Sequence, residues 1–298
     1  MADGQRSERI AGTQSIDRAI ELLLLVGRAS PQGSRLSDLV KRSQLPKPTV
    51  RRVLLALVRA GLLDQDESTR LYFLGPESYV IGTLATARFG IHALALDGLA
   101  RLSQATSDTT FLSVRRGTFS VCLHREEGSY PIRTHVLQAG DRHPLGVGAG
   151  SLALLSALAD DEIDAILRAN ASVLREQYPK FSSVLLRRLI EQTRKRGYAL
   201  NPGLLMQGSW GIGVPIRDGD GHVVGALSIA AVEQRLDEAR QRILVPSLQA
   251  EAKRLEELLS QSRGSAPRSV PTVGSPREKS RRLLQAELPT RPPPRRKT

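Results

Sequence analysis

Apolar residues at helical spacing mark the first element of the chain. Between Ser15 and Ala29, Ile16, Ala19, Ile20, Leu23 and Leu24 recur at three- and four-residue steps, which predicts one apolar helix face. Ser15 is the expected cap, and Asp17 in the first turn complements the helix dipole. Ser30-Pro31-Gln32-Gly33 breaks the pattern. A second short helix follows over about Leu36 to Arg42, then the tight connection Ser43-Gln44-Leu45-Pro46. A third helix is predicted from about Lys47 to Ala60, with Val50, Val53, Leu54, Leu57 and Val58 on one face and Gly61 as its stop. Leu62-Leu63 and Leu71 to Leu74, separated by a polar DQDEST turn, read as a short hairpin that Pro76 closes.

The pattern then changes. Glu77 to about Gln104 is helical in character and free of proline, which fits a connector helix followed by the first helix of a new domain. Thr109 to Arg115 and Thr118 to Arg125 are predicted strands around Arg116-Gly117, with a further strand over Pro131 to Leu137. Helices are expected over Val147 to Ala159, Asp161 to Ala169 and Ser183 to Arg196, the last stopped by Gly197. Gly211 to Ile216 and His222 to Ala231 pair around Asp218-Gly219-Asp220-Gly221, and Leu236 to Ser260 is a final helix kinked or restarted at Pro246. After Arg263 the sequence turns Ser/Pro/Arg-rich, a composition that buries too little apolar surface to offset ordering entropy, so a disordered tail is expected.

Charge sharpens this picture because it is uneven. The net charge is +13, but residues 76–262 hold 21 Lys/Arg against 20 Asp/Glu and are nearly neutral. Residues 1–75 hold 12 against 8, and residues 263–298 hold 10 against 2. Excess positive charge at the two ends fits a nucleic-acid partner. No apolar run approaches the ~18–20 residues of a membrane span, and the polar start MADGQRSERIAG lacks a signal-peptide core, so a cytoplasmic protein without membrane contact is expected. Cys122 stands alone, which excludes an internal disulfide or a cysteine-rich zinc site.

Three short helices and a hairpin form a winged helix-turn-helix pattern, whose third helix enters the major groove of double-stranded DNA. Here that helix begins with Lys47, Thr49, Arg51 and Arg52 opposite its apolar face. Arginine pairs bidentately with guanine, and lysine or a helix N-terminus holds phosphate. Arg70 on the hairpin tip is a candidate phosphate contact, and Arg9 and Arg6 before the first helix are candidates for an adjacent groove or backbone. Two arginines on an outer helix face, taken alone, are ordinary solvated residues. Their place after a tight turn and before a hairpin is what raises the DNA reading.

At this point the sequence resembles the IclR-type bacterial transcription regulators. QSIDRAIELL, SDLVKRSQLPKPTVRRVLLALVRAGLL and YFLGPES resemble the family's DNA-binding domain in order and spacing. LARLSQATSDTTFLSVRRG, HPLGVGAGSLALLSAL, RKRGYAL and GVPIRDGDGHVVGALSIAA are similar to its effector domain. The resemblance runs from about Gln14 to Leu259 and implies an α+β chain. Its expected parts are an arm (1–13), a winged helix-turn-helix (14–76), a connector helix (77–100), a GAF-like α/β effector-binding domain (101–262) and a basic tail (263–298). It also implies a homodimer or homotetramer, with the connector helix contributing to assembly, and a small organic effector.

Carried over residue by residue, the effector pocket would include Gly148 and Ala149, Asn201, Ser209 and Gly211 around Trp210, and Ser228 and Ala230. A glycine-rich loop entering a helix presents N–H groups to an anion. Ser151 stands where the family commonly has lysine, Asn201 replaces an acidic residue, and Gly211 and Ala230 replace polar or sulfur-bearing ones. These departures point to a larger, aromatic or weakly polar effector, or to a pocket that has lost its ligand. Pro48 replaces the usual Ser or Thr at the recognition helix, where proline is tolerated but contributes no polar contact.

Enzyme chemistry finds little support. The five histidines show no metal spacing, and no cofactor is expected. Cys122 sits in an alternating strand and is expected to pack as a small apolar residue; a catalytic thiol would need a histidine partner, and His124 is two residues away on the same predicted strand face. Ser151 lacks a nucleophile-elbow context, and the Gly146 to Gly150 loop has the wrong spacing for a dinucleotide. A small-molecule-binding enzyme fused to a winged helix, or a winged helix used for protein contacts, remain the alternatives.

Overall fold

The computed structural model describes residues 13–29, 32–85, 90–132 and 137–264. Helices α1 (Gln14–Gly27), α2 (Leu36–Ser43) and α3 (Lys47–Arg59) pack with the hairpin β1 (Leu63–Gln65) and β2 (Tyr72–Leu74). Leu22, Leu39, Val50, Leu54, Leu63 and Tyr72 lie at the centre of their core. The predicted order of three helices and a wing is present because each helix has an apolar face long enough to bury.

Two details of α1 differ from expectation. The helix starts at Gln14, so Ser15 lies inside it and does not cap it. Thr13 occupies the cap position, and its hydroxyl donates to Asp17 Oδ2 at 3.1 Å. The buried residues are Leu22 and Val26, while Ile16 (59%), Ile20 (51%) and Leu24 (53%) are exposed. Helix α1 is apolar on two sides, and the core uses the other one.

The stretch expected as a connector is two helices, α4 (Pro76–Ala85) and α5 (Ile91–Thr106). Helix α5 contributes Ile91, Ala95, Leu99 and Leu102 to the core of a six-stranded antiparallel sheet. Its strands are β3 (Thr109–Arg116), β4 (Phe119–Glu126), β5 (Arg142–Pro144), β6 (Ala199–Met206), β7 (Ser209–Arg217) and β8 (Val223–Val232), in the order β5-β4-β3-β8-β7-β6. Helix α10 (Glu238–Gly264) packs with α5 on one face through Leu244, Leu248, Ala252 and Leu255. It runs through Pro246 as one helix and does not restart there.

The opposite sheet face carries α6 (Ala149–Ser156), α7 (Asp160–Ala169), α8 (Ala171–Gln177) and α9 (Ser183–Arg196) around Leu152, Leu155, Ile163, Leu186 and Ala226. Helix α6 begins later than expected because Gly148 takes φ 88° at its cap, outside the helical region. Strand β6, which contains Pro202 and Gly203, was not anticipated. It is an edge strand with an irregularity between Pro202 and Met206, which is where a sheet tolerates proline. Strand β5 and helix α8 were too short to read. Of the strand expected over 131–137, residues 133–136 lie outside the described residues, and Pro131, Ile132 and Leu137 are not in a strand.

Candidate functional site

The helix-turn-helix is set by local chemistry. Gln44 ends α2 at φ 56°, a left-handed conformation that turns the chain sharply toward Leu45-Pro46. Pro48 sits in the first turn of α3, where its missing N–H would have had no intrahelical partner. With Val50, Leu54 and Leu57 buried, Lys47, Arg51, Arg52 and Arg59 are exposed on the opposite side. Thr49 is half-buried, on the flank of that face. None of the four cations forms an ion pair among the described residues.

The wing tip is organised by Asp66. Its Oδ1 accepts from Thr69 N (2.6 Å), Thr69 Oγ1 (2.7 Å) and Ser68 Oγ (2.7 Å). The Thr69 hydroxyl and amide, followed by Ser68, hold its carboxyl down at about 2. The turn forces Arg70 to φ 59°, and its side chain is exposed. Arg9 and Arg6 lie outside the described residues.

The second site is a cavity between the sheet and the start of α6. Gly148, Ala149, Asn201, Ser209, Gly211, Ser228 and Ala230 all line it, so the structure brings together every pocket position carried over from the resemblance. Its volume is about 40 Å³, against the ~10–15 Å³ that one water needs. Phe111, Leu137, Val147 and Leu205 supply apolar wall. Trp210 is also a lining residue, and it packs against the core on the α5 side of the sheet.

The sequence reading missed the glycine that seats α6. A Cβ on Gly213 would lie 2.7 Å from Ala149 O and 3.0 Å from Gly150 N. Only glycine lets the helix N-terminus come this close to the sheet. Ser151, placed where the family commonly has lysine, turns inward: its hydroxyl donates to Pro144 O and accepts from Gly146 N, both at 3.1 Å, closing the loop.

Further polar lining was also missed. Ser113, Ser120, Cys122, Asp141 and His143 line the same cavity. Ser120 and His143 are register partners on β4 and β5, and Ser113 and Cys122 on β3 and β4. The His143 ring is held by Tyr178, with Nδ1 3.1 Å from the phenol oxygen. Burial keeps the ring below its usual titration range, with the Asp141 carboxylate acting the other way. Alternation along β3 and β4 was the available signal for the serines; nothing local pointed to the His143–Tyr178 pair.

The Cys122–His124 pair does not exist. Leu112 pairs with His124 but Ser113 with Cys122, so one extra residue, Leu123, bulges from β4 and reverses the alternation. Cys122 faces the cavity. His124 lies on the α5 side, edge-on to His92 at 5.4 Å between ring centroids, with Nε2 3.2 Å from Glu126. The Cys122 thiol is pushed up to about 12, first by burial and then by Asp141, and is no thiolate at neutral pH.

Comparison with known proteins assigns both parts. Residues 83–257 match the bacterial transcriptional regulator IclR C-terminal domain, and residues 15–67 match the IclR helix-turn-helix domain. The chain belongs to the IclR family. This IclR-family chain is therefore a transcriptional regulator with a helix-turn-helix DNA-binding domain. The HTH-type transcriptional regulator XynR of Escherichia coli strain K12 is 27% identical over 226 residues, covering 76% of this chain and 89% of XynR. The regulator RHA06195 of Rhodococcus sp. RHA1 superposes with a TM-score of 0.66 at 25% identity, over 83% of this chain and 98% of that one. An IclR homologue from Microbacterium hydrocarbonoxydans, solved with 4-hydroxybenzoate, has the same fold with a TM-score of 0.66 at 23% identity, over 84% and 100% of the two chains. The relatives are named as regulators, not enzymes. Among the described residues no helix is long and apolar enough to cross a membrane.

Proposed function

We infer that this IclR-family chain binds a specific promoter site through α3 and that a small organic effector in the cavity modulates its DNA affinity. One observation carries the reading: Lys47, Arg51 and Arg52 project from the first turns of the recognition helix with no partner of their own. Cations exposed on a helix without ion pairs are available for phosphate and guanine. Arg51 and Arg52 read base edges, Lys47 and the α3 N-terminus hold phosphate with Thr49 beside them, and Arg70 on the wing grips the backbone.

A homodimer suits this geometry. Ile16, Ile20 and Leu24 form an exposed stripe at four-residue steps on α1, and Tyr79, Ile81 and Leu84 are exposed on α4. Covering these residues with a second copy places two recognition helices on one palindromic site. The effector occupies the cavity with its anionic group toward Ala149 and Gly150; a ligand of ring size, such as the 4-hydroxybenzoate of the Microbacterium homologue, displaces Leu137 and Leu205. It changes DNA affinity only by as much as it distinguishes two arrangements of the subunits.

The test is fluorescence anisotropy with a labelled fragment from upstream of the protein's own gene and a scrambled control, across several salt concentrations. The expected result is selective, salt-sensitive binding that the Lys47/Arg51/Arg52 triple alanine abolishes. Undiminished selectivity in the triple alanine refutes the assignment of α3 as the reading element.

A further inference from the structure

Resting on the effector reading above, we propose that the cavity selects an organic monocarboxylate bearing a hydroxyl or amino group at its far end, and that His143, braced by Tyr178 and flanked by Asp141, reads that far group. The cavity has two unlike ends. At one end, α6 begins at Gly148, and the first N–H groups of a helix have no intrahelical partner. Two buried hydroxyls aim at the same place. A Cβ on Gly150 would lie 3.1 Å from Ser228 Oγ and 3.5 Å from Ser113 Oγ. Ser228 is 5% exposed and Ser113 3%, and neither hydroxyl has a hydrogen-bond partner among the described residues. Both hydroxyl oxygens open onto the cavity unpaired, and two such groups able to donate beside a helix N-terminus favour an anionic oxygen.

The other end lies on β5, two strand spacings from Ser113 on β3 and three from Ser228 on β8, or ~10–14 Å at the usual strand spacing. Side chains reaching inward from both ends leave the length of a ring or a short aliphatic chain. His143 is fixed there through Nδ1 by the Tyr178 phenol, and Nε2 has no hydrogen-bond partner among the described residues. Burial disfavours the charged ring, so one nitrogen of a neutral imidazole faces the ligand. Ser120, in register with His143, adds a hydroxyl that is 5% exposed and also free of partners. A hydroxyl on the ligand both donates and accepts, and satisfies either tautomer.

Asp141 gives this end its selectivity. Asp141 lines the cavity, its Oδ2 accepts from Gln138 N at 2.8 Å, and its charge acts on His143, Tyr178 and Cys122. A second carboxylate on the ligand would meet a like charge; a hydroxyl would not, and an amino group would be attracted. The cavity thus pairs an anion-seeking end with an anion-rejecting one.

Isothermal titration calorimetry on the full-length protein tests this with two series of probes: benzoate, 4-hydroxybenzoate and terephthalate; and hexanoate, 6-hydroxyhexanoate and adipate. In at least one series the hydroxylated acid should bind ten-fold or more tighter than its parent, with the dicarboxylate weakest. His143→Gln should cut that preference below three-fold. Asp141→Asn should tighten the dicarboxylate at least five-fold. Tyr178→Phe, which keeps the ring and removes the brace, serves if His143→Gln fails to fold, and should lower the same preference. Equal binding of parent and hydroxylated acid, or a preference that survives these variants, overturns the proposal and leaves the effector reading standing. Binding of no acid in either series overturns the proposal and the organic-acid effector together.

Discussion

Gly213→Ala tests the close seating of α6 on the sheet. The added methyl would lie 2.7 Å from Ala149 O, 2.8 Å from Ala149 C and 3.0 Å from Gly150 N. All three are backbone atoms, so no rotamer change relieves the contact, and α6 must lift from β7. Overpacking of this kind costs roughly 2–3 kcal/mol. Alanine also restricts the unfolded chain, which offsets about 0.5–1 kcal/mol. The net destabilisation is about 1–2.5 kcal/mol, or roughly 5- to 70-fold in the folded-to-unfolded ratio. Urea denaturation followed by circular dichroism measures it. Gly82→Ala is the control: its Cβ would meet nothing within 4 Å on helix α4, so it should be neutral or stabilising by up to about 1 kcal/mol. A Gly213→Ala protein as stable as the parent would refute the close approach of α6 to the sheet.

Three further outcomes are expected. If Arg51 or Arg52 reads a base, its alanine variant loses roughly 1–3 kcal/mol on the specific fragment and little on the scrambled one; equal losses reassign that residue to phosphate. Arg70→Gly removes a left-handed non-glycine residue and should stabilise the fold by about 1 kcal/mol, while lowering the salt slope of DNA binding by about 1; an unchanged slope excludes Arg70 from phosphate contact. His143 is held below its ordinary value of 6.5 mainly by burial, so the unfolded chain takes up this proton first as pH falls. Stability linked to it is intact above pH 6.5 and declines as pH drops through that value toward the lowered folded one. His92 is lowered for the same first reason and contributes a parallel decline. His143→Gln should therefore flatten, without abolishing, the fall in urea midpoint between pH 7 and 5; parallel curves for variant and parent would contradict the burial argument.

The sequence was most informative where structure is local. Helices α2 and α3 are readable because their apolar residues repeat at helical spacing and because proline and glycine interrupt the chain at their ends. The basic outer face of α3 follows from the same spacing once Val50, Leu54 and Leu57 are placed inside. Strands β3, β4, β7 and β8 announce themselves by β-branched runs around Gly117 and the Asp218–Gly221 turn. Where a segment offers two apolar faces, as α1 does, periodicity predicts the helix and not the side that is buried. Where the ladder contains an irregularity, alternation fails outright: Leu123 places Cys122 and His124 on opposite faces despite a spacing of two. Pro202 and Gly203 hid β6 because the allowance for proline depends on its being an edge strand, which is a property of the finished sheet.

The sequence by itself therefore determined the longer helices and the two central strand pairs, the helix-turn-helix with its positive helix, and the family. These depend on contacts within a few residues and on motif order along the chain. Only the tertiary structure decided what the cavity presents to a ligand. Ser113 on β3, Ser228 on β8, Gly213 on β7 and His143 on β5 become neighbours across the ladder or around α6, and Tyr178 comes to His143 from 35 positions away. Strand order and register bring such residues together. These are set by how the whole chain buries its two cores, which no local pattern records.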